Sequence, residues 1–319
     1  MSKPENVIII GGACAGYTAA IYAARANLLP LLLVGDLDGG QLAQTSDVEN
    51  YPGFPEGILG PDLMQKFRAQ AERFGTRVQS GYVAEVEFKQ RPFTLKTSEG
   101  ETYHAHTVII ATGATARWLD IPSEQKLRGK GVSACATCDG FFFKGKELAV
   151  IGGGDSAMEE GTFLTKFATK VTIIHRRDAF RASKIMLERA RKNPKIEFVL
   201  DSVVDEVLGT DKVEGVRIKN LKSNQTSTLS CSGLFLAIGH EPNTKIFKGQ
   251  IDLDEKGYIV CKQWTSTNVT GVFAAGDVTG SRYRQAVSAA GSGCMAAIDV
   301  ERYLAEHEET LSLKAVGAH

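Results

Sequence analysis

No stretch of this 319-residue chain approaches the roughly 18 consecutive apolar residues that a membrane-spanning helix requires. The N-terminus also lacks a basic region followed by a long apolar segment and a cleavage site, so neither a membrane span nor a signal peptide is expected. A reducing cytosol is the expected setting. Net charge is missing too: 37 Lys and Arg balance 37 Asp and Glu, which leaves no bulk field to hold nucleic acid or an anionic membrane. Any charged ligand must meet a local cluster. The six cysteines are Cys14, Cys135, Cys138, Cys231, Cys261 and Cys294, and only one pair has a redox spacing. No second C-x-x-C and no C-x-x-H completes a metal tetrahedron, so no metal site is expected. The unpaired cysteines read as small buried apolar residues. Cys14 stays open between packing and reactivity, because it lies inside a glycine loop.

What the chain does have is Ser133-Ala134-Cys135-Ala136-Thr137-Cys138-Asp139-Gly140. Cysteines two residues apart can close a small disulfide that opens easily. An acid directly after the second cysteine can carry protons to and from the thiolates. Taken alone, the pair could equally be structural or half of a zinc site, and Asp139 could be a turn residue before Gly140. The glycine loop that follows shortly after favours redox chemistry. Phe141-Phe142-Phe143 comes next in the chain and is either a docking anchor for a partner or part of a core.

The surrounding chain is organised twice over. Val7-Ile8-Ile9-Ile10 has the all-apolar pattern of a buried parallel strand and runs into Gly11-Gly12-Ala13-Cys14-Ala15-Gly16 and a helix from Tyr17 to Ala26. Such a turn brings backbone N–H groups and the helix dipole to a pyrophosphate. Ala13 stands where G-x-G-x-x-G has its second glycine. A second strand, Leu31–Val34, is followed by Asp36 as a loose candidate for the ribose acid. Gly39-Gly40-Gln41-Leu42 and Val48–Gly53 suit the lining of a large flat ligand or a plain surface loop. A helix is expected from Pro61 to Phe74, then a meander over Tyr82–Phe88, Pro92–Thr97 and Glu101–His104, then a separate buried strand, Val108–Gly113.

The plan restarts after Lys144, where Leu148–Ile151 leads into Gly152-Gly153-Gly154-Asp155-Ser156-Ala157, an unbroken G-x-G-x-x-A. The next strand, Val171–Ile174, ends in His175-Arg176-Arg177, with Arg181 close behind. Guanidinium groups at that place favour the 2′-phosphate of NADP over the diol of NAD, a solvated basic surface being the alternative. The first loop has no such cluster and is left for FAD. A meander from Val203 to Cys231 leads to Leu234–Gly239, which echoes Val108–Gly113. Gly271–Asp277 and a helix within Tyr283–Glu308 carry no glycine loop and are expected to return to the first domain. The fold class is therefore α/β, with two Rossmann-like, three-layer dinucleotide-binding domains, the second inserted into the first. The expected boundaries are 1–115 and 244–319 for an FAD-binding domain and 116–243 for an NADPH-binding domain that carries the C-x-x-C.

Over essentially its whole length the chain resembles the low-molecular-weight thioredoxin reductases. The resemblance rests on both glycine loops, Cys135–Gly140, Gly39–Leu42, Glu49-Asn50, Ala111–Gly113, His175–Arg181, Gly239–Thr244, Gly276-Asp277 and Arg284–Ala286. It implies a homodimeric FAD protein that oxidises NADPH and reduces thioredoxin, with rotation of the inserted domain between half-reactions, and the lack of a signal peptide makes the cytoplasm its expected place. It implies an FAD site at Gly11, Gly12, Ala13, Cys14, Ala15, Gly16, Gly40, Gln41, Leu42, Asn50, Thr112, Gly113, Gly276, Asp277, Arg284, Gln285 and Ala286. The NADPH site falls on Gly152, Gly153, Gly154, Asp155, Ser156, His175, Arg176, Arg177 and Arg181. Cys138 would face the flavin, Cys135 would attack the partner's disulfide, and Asp139 would move the proton. Ala13 and Cys14 depart from the glycine and proline usual in this family.

Overall fold

The computed structural model describes residues 3–45 and 47–311. The chain divides into two compact units, Met1–Thr115 with Glu241–His319, and Ala116–His240.

In the first unit, the Glu5–Ile10 strand is buried along its whole length. It lies near the middle of a seven-stranded sheet ordered Arg77–Gln79, Leu31–Leu33, Glu5–Ile10, Thr102–Ile110, Phe93–Thr97, Val83–Glu87, with Val272–Ala274 pairing parallel to Thr102–Ile110. Alternate residues of a strand face opposite ways, and both faces are covered here, which is why the strand has no polar face. Val7 and Ile9 pack with Tyr17, Leu63, Phe67 and Ala297 from the helices Cys14–Arg25, Gly60–Arg73 and Ala286–Glu306. Ile8 and Ile10 pack with Leu33, Leu95 and Phe247 on the other side. Small residues let two of the helices touch closely: a Cβ on Gly293 would lie 2.1 Å from the carbonyl oxygen of Ala15.

The expected short strand Glu101–His104 and the buried strand after it are one strand, Thr102–Ile110. No turn former separates them, and Thr107 is tied in by its hydroxyl, which donates to the Asn6 carbonyl at 2.6 Å. The first half pairs antiparallel with Phe93–Thr97 (Phe93 opposite Ala105) and the second half parallel with Val272–Ala274 (Val272 opposite Val108). The late segment thus returns to the first unit, as its lack of a glycine loop suggested.

The second unit has a five-stranded parallel sheet, Val132–Ser133, Gly233–Leu236, Glu147–Ile151, Lys170–Ile174, Ile196–Val199. Helices Asp155–Leu164 and Lys184–Arg191 cover one face through Val150, Met158, Ile173 and Ala190. A three-stranded antiparallel sheet, Ser202–Leu208, Gly215–Asn220 and Thr226–Ser230, covers the other through Ala149, Ile174, Val204 and Val216. Each unit is therefore a layered α/β domain, and the chain is the α/β fold with an inserted second domain. Among the described residues no helix is long and apolar enough to cross a membrane, and no cluster of His, Cys, Asp or Glu could hold a metal ion.

Candidate redox site and nucleotide cradles

The strand Val132–Ser133 delivers the chain to Cys135 and Cys138, which form a disulfide. Cys135 is the N-cap of the single turn Ala136–Asp139, and its Sγ accepts the backbone N–H of Cys138 at 3.2 Å. The Thr137 hydroxyl lies 3.4 Å from the same sulfur, and the Cys135 N–H donates to Ser133 Oγ at 3.0 Å. A donor aimed at one sulfur favours the thiolate over the thiol once the disulfide opens. Cys135 is half-buried and Cys138 is exposed. Burial pushes the Asp139 carboxyl up against the opposing pull of the Ser133 hydroxyl, so this acid holds a proton more readily than a surface aspartate. The three phenylalanines divide. Phe143 packs edge-on to Phe235 at 5.5 Å, whereas Phe141 and Phe142 are 61% and 47% exposed beside the disulfide.

In the first unit the candidate cofactor residues gather at the carboxyl ends of four parallel strands, where open α/β sheets bind ligands. Gly11 follows Glu5–Ile10 with φ +110°, and a Cβ there would meet the Ala111 carbonyl at 2.4 Å. A Cβ on Gly16 would come within 1.8 Å of the Gly11 carbonyl. Ala13 is the N-cap of Cys14–Arg25 in extended backbone, φ −125°, so this position needs no glycine conformation. No side chain caps that helix, which leaves its first N–H groups for a phosphate. Gly12 accepts the N–H of Gly39 at 2.7 Å, and Gly40 stands against the Ala13 methyl. Gln41 reaches across to the Ala114 carbonyl, and Leu42 packs on the core below.

The remaining candidates close the same end of the sheet. Asn50 Nδ2 donates to Gln285 Oε1 at 3.3 Å, just before Ala286 opens its helix. Thr112 and Gly113 are bound to Asn243, whose side-chain N–H donates to the Thr112 carbonyl at 2.8 Å and whose backbone N–H donates to Gly113. Gly276 abuts Ala15, and a Cβ there would be 2.9 Å from the alanine methyl. Asp277 is raised to about 6 by burial, with Arg284 pulling the other way. Cys14 is pushed up to about 12 by burial and by the Asp277 charge, so it is a packed thiol and the reactive reading is set aside. Asp36 is exposed, and the acid beside the glycine turn is Asp38.

In the second unit a Cβ on Gly152 would meet the Ala237 carbonyl at 2.5 Å, and one on Gly153 would overlap the His175 ring at 2.1 Å. His175 is buried, stacked on Phe180 at 5.1 Å, and lowered by burial and by the nearby arginines, so it packs beneath the loop as a neutral ring. Gly153 accepts the N–H groups of Arg181 and Ala182 at 2.7 and 3.1 Å, and Asp155 accepts that of Ser183 at 2.7 Å. These bonds fold the arginine loop back onto the glycine turn. Gly154 caps Asp155–Leu164 with no side-chain bond, and Ser156 lies in that helix's first turn. Arg176, Arg177 and Arg181 are exposed, with no ion-pair partner among the described residues. Gly11 and Gly16 in the first cradle and Gly152 and Gly153 in the second thus lack room for a Cβ, both cradles present open helix N-termini, and the second adds unpaired positive charge, a fit to a dinucleotide in each.

The pyridine nucleotide-disulphide oxidoreductase family matches residues 5–293. A thioredoxin reductase of Rickettsia felis is 56% identical over 308 residues, covering 95% of this chain and 99% of that protein. A bifunctional thioredoxin reductase/thioredoxin of Mycobacterium leprae is 55% identical over 304 residues, covering 95% of this chain and 66% of that protein. The solved thioredoxin reductase of Giardia duodenalis superposes with a TM-score of 0.91 at 48% identity, covering 95% of this chain and 100% of the other. With the disulfide and both cradles in place, the chain belongs to the pyridine nucleotide-disulphide oxidoreductases, and within them to the low-molecular-weight thioredoxin reductases, FAD-containing enzymes that draw on NADPH.

Proposed function

We propose that this chain takes electrons from NADPH and delivers them to thioredoxin through the Cys135–Cys138 disulfide. The observation that carries the reading is that disulfide itself, set beside a half-buried acid on the unit with the arginine-flanked glycine loop. FAD on the first cradle and NADPH on the second supply the two-electron reduction that opens the disulfide. The Gly11–Gly16 loop, Gly40, Gln41, Leu42, Asn50, Thr112, Gly113, Gly276, Asp277 and Arg284–Ala286 hold FAD. The Gly152–Ser156 loop holds the NADPH pyrophosphate, Arg176, Arg177 and Arg181 its 2′-phosphate, and His175 supports the loop from below.

The chain's own residues do the rest. When the S–S bond breaks, the two sulfurs take the electron pair and require protons, and Asp139 delivers one. Cys135, favoured as thiolate by the Cys138 N–H, attacks the partner's disulfide and forms a mixed disulfide. Cys138 then attacks Cys135 Sγ, which restores the internal bond and releases the reduced partner. Exposed Phe141 and Phe142 offer that partner an apolar landing surface.

Trapping tests this order. Cys138→Ser is expected to hold thioredoxin as a stable mixed disulfide on Cys135, and Cys135→Ser is not. The reverse pattern would exchange the two roles.

A sulfur that meets both an enclosed flavin and a bulky protein needs two settings, so the inserted unit rotates on its two connections. Those connections, Ala114–Ala116 and His240–Pro242, pair as a short ribbon. The protein acts as a homodimer in a reducing cytoplasm. Supporting the first point, Val287, Met295 and Ile298 share an exposed face of Ala286–Glu306, next to a groove of about 530 Å³ lined by Tyr22, Tyr51 and Phe67. Sedimentation reads that state directly, and a monomer would refute it. Supporting the second, Cys14, Cys231, Cys261 and Cys294 are unpaired.

A further inference from the structure

One carboxylate beside the first cradle has both oxygens engaged by donors from two helices. Asp38 accepts the Tyr17 hydroxyl on one oxygen and Arg68 Nη1 on the other at 2.5 Å, and Arg68 Nε donates to Glu72 at 2.9 Å. Tyr17 follows Gly16 on the glycine-loop helix and is fully buried, and burial together with Asp38 keeps its hydroxyl protonated as a donor. Arg68 and Glu72 stand on Gly60–Arg73. Asp38 itself precedes Gly39 and Gly40, both left-handed at φ +86° and +58°, and the Gly39 N–H is the one that Gly12 accepts. The turn that closes over the glycine loop is therefore held at one end by a single charged, three-way clamp.

We propose that Asp38 is a positioning residue for FAD: with Tyr17 and Arg68 it fixes the Gly39-Gly40-Gln41 turn against the Gly11–Gly16 loop and so sets how tightly the cofactor is kept. The proposal rests on placing FAD in the first cradle. With both oxygens already engaged by protein donors, the carboxylate orders the chain and leaves the ligand to the loop. Tyr17 matters through one hydroxyl, since its ring would pack equally well as phenylalanine.

The test follows FAD release from the holoenzyme as the rise in flavin fluorescence on dilution, in Tyr17→Phe, Asp38→Asn and the double variant. Each single change is expected to speed release and weaken FAD about tenfold, the scale of one charge-assisted hydrogen bond. The double variant should fall short of the product of the singles, because both changes act on the same three-way clamp. The dissociation constant for NADPH, titrated on the same proteins, should stay at the wild-type value, which a general loss of structure would not allow. Wild-type FAD release in Tyr17→Phe, or a double variant equal to the product of the singles, would overturn the proposal. Should Asp38→Asn fail to fold, Arg68→Gln replaces it, with faster release expected and wild-type release again contradicting the clamp. A wild-type protein that takes up no FAD would instead overturn the cofactor assignment beneath it.

Discussion

Asp139 and Asp277 are both raised by burial, and they use that shift differently. Asp139 sits where a proton must be given, so a carboxyl that holds its proton longer is a better acid near neutral pH. Asp277, raised to about 6, is a cost to the apo fold at neutral pH, because its half-buried charge is only partly offset by Arg284. The sign follows from linkage: between the ordinary aspartate value and about 6 the folded chain binds more protons than the unfolded one, so this group's contribution to stability falls as pH rises through that window. Asp277→Asn is therefore expected to raise the melting temperature of the apoprotein at pH 8, with the gain vanishing as pH falls to 4. Scanning calorimetry across pH checks this, and a gain that grows toward acid would contradict it. The roles open at this scale were unequally legible. Cys135, Cys138 and Asp139 are neighbours in the chain, and their spacing already pointed to redox work. The Tyr17–Asp38–Arg68 clamp joins residues far apart in sequence, and no local pattern marks it.

Elements built from one clear pattern were readable. The all-apolar runs at Val7–Ile10 and Leu148–Ile151, and the Val171–Ile174 run broken only by Thr172, are central or near-central parallel strands, and each glycine turn opens a helix. Merging of the two segments into Thr102–Ile110 was not readable, because one strand changes partner midway and each half carries its own period. Phe141-Phe142-Phe143 was ambiguous for a related reason: the short helical turn sends the third ring to the core and leaves the first two outside, which composition cannot show. Arg176 and Arg177 carry unpaired charge on a loop pinned to Gly153 by backbone bonds, so removing the side chains leaves the loop in place. Each charge-assisted bond to a phosphate contributes roughly 1.5–3 kcal/mol. The double replacement Arg176→Ala and Arg177→Ala should raise the KM for NADPH by at least tenfold and barely change that for NADH. Steady-state kinetics with both donors measures it, and equal effects would mean that the pair is only a charged surface.

At the scale of the whole molecule, the late strand Val272–Ala274 and helix Ala286–Glu306 complete the first unit, which makes the second an insertion with two connections and a natural candidate to turn as a body. A cross-link that fixes the inserted unit is expected to preserve either reduction of the disulfide or delivery to thioredoxin and to stop the other, and full turnover in the locked protein would refute rotation. The path of the electrons from NADPH is the central property of this molecule. The direct measurement is NADPH consumption, followed by its near-ultraviolet absorbance, with and without oxidised thioredoxin, in the wild type and in Cys135→Ser. The prediction is consumption that rises with thioredoxin in the wild type and is lost in Cys135→Ser, while NADPH still bleaches the flavin of the variant. Thioredoxin-dependent consumption at the wild-type rate in Cys135→Ser would contradict it.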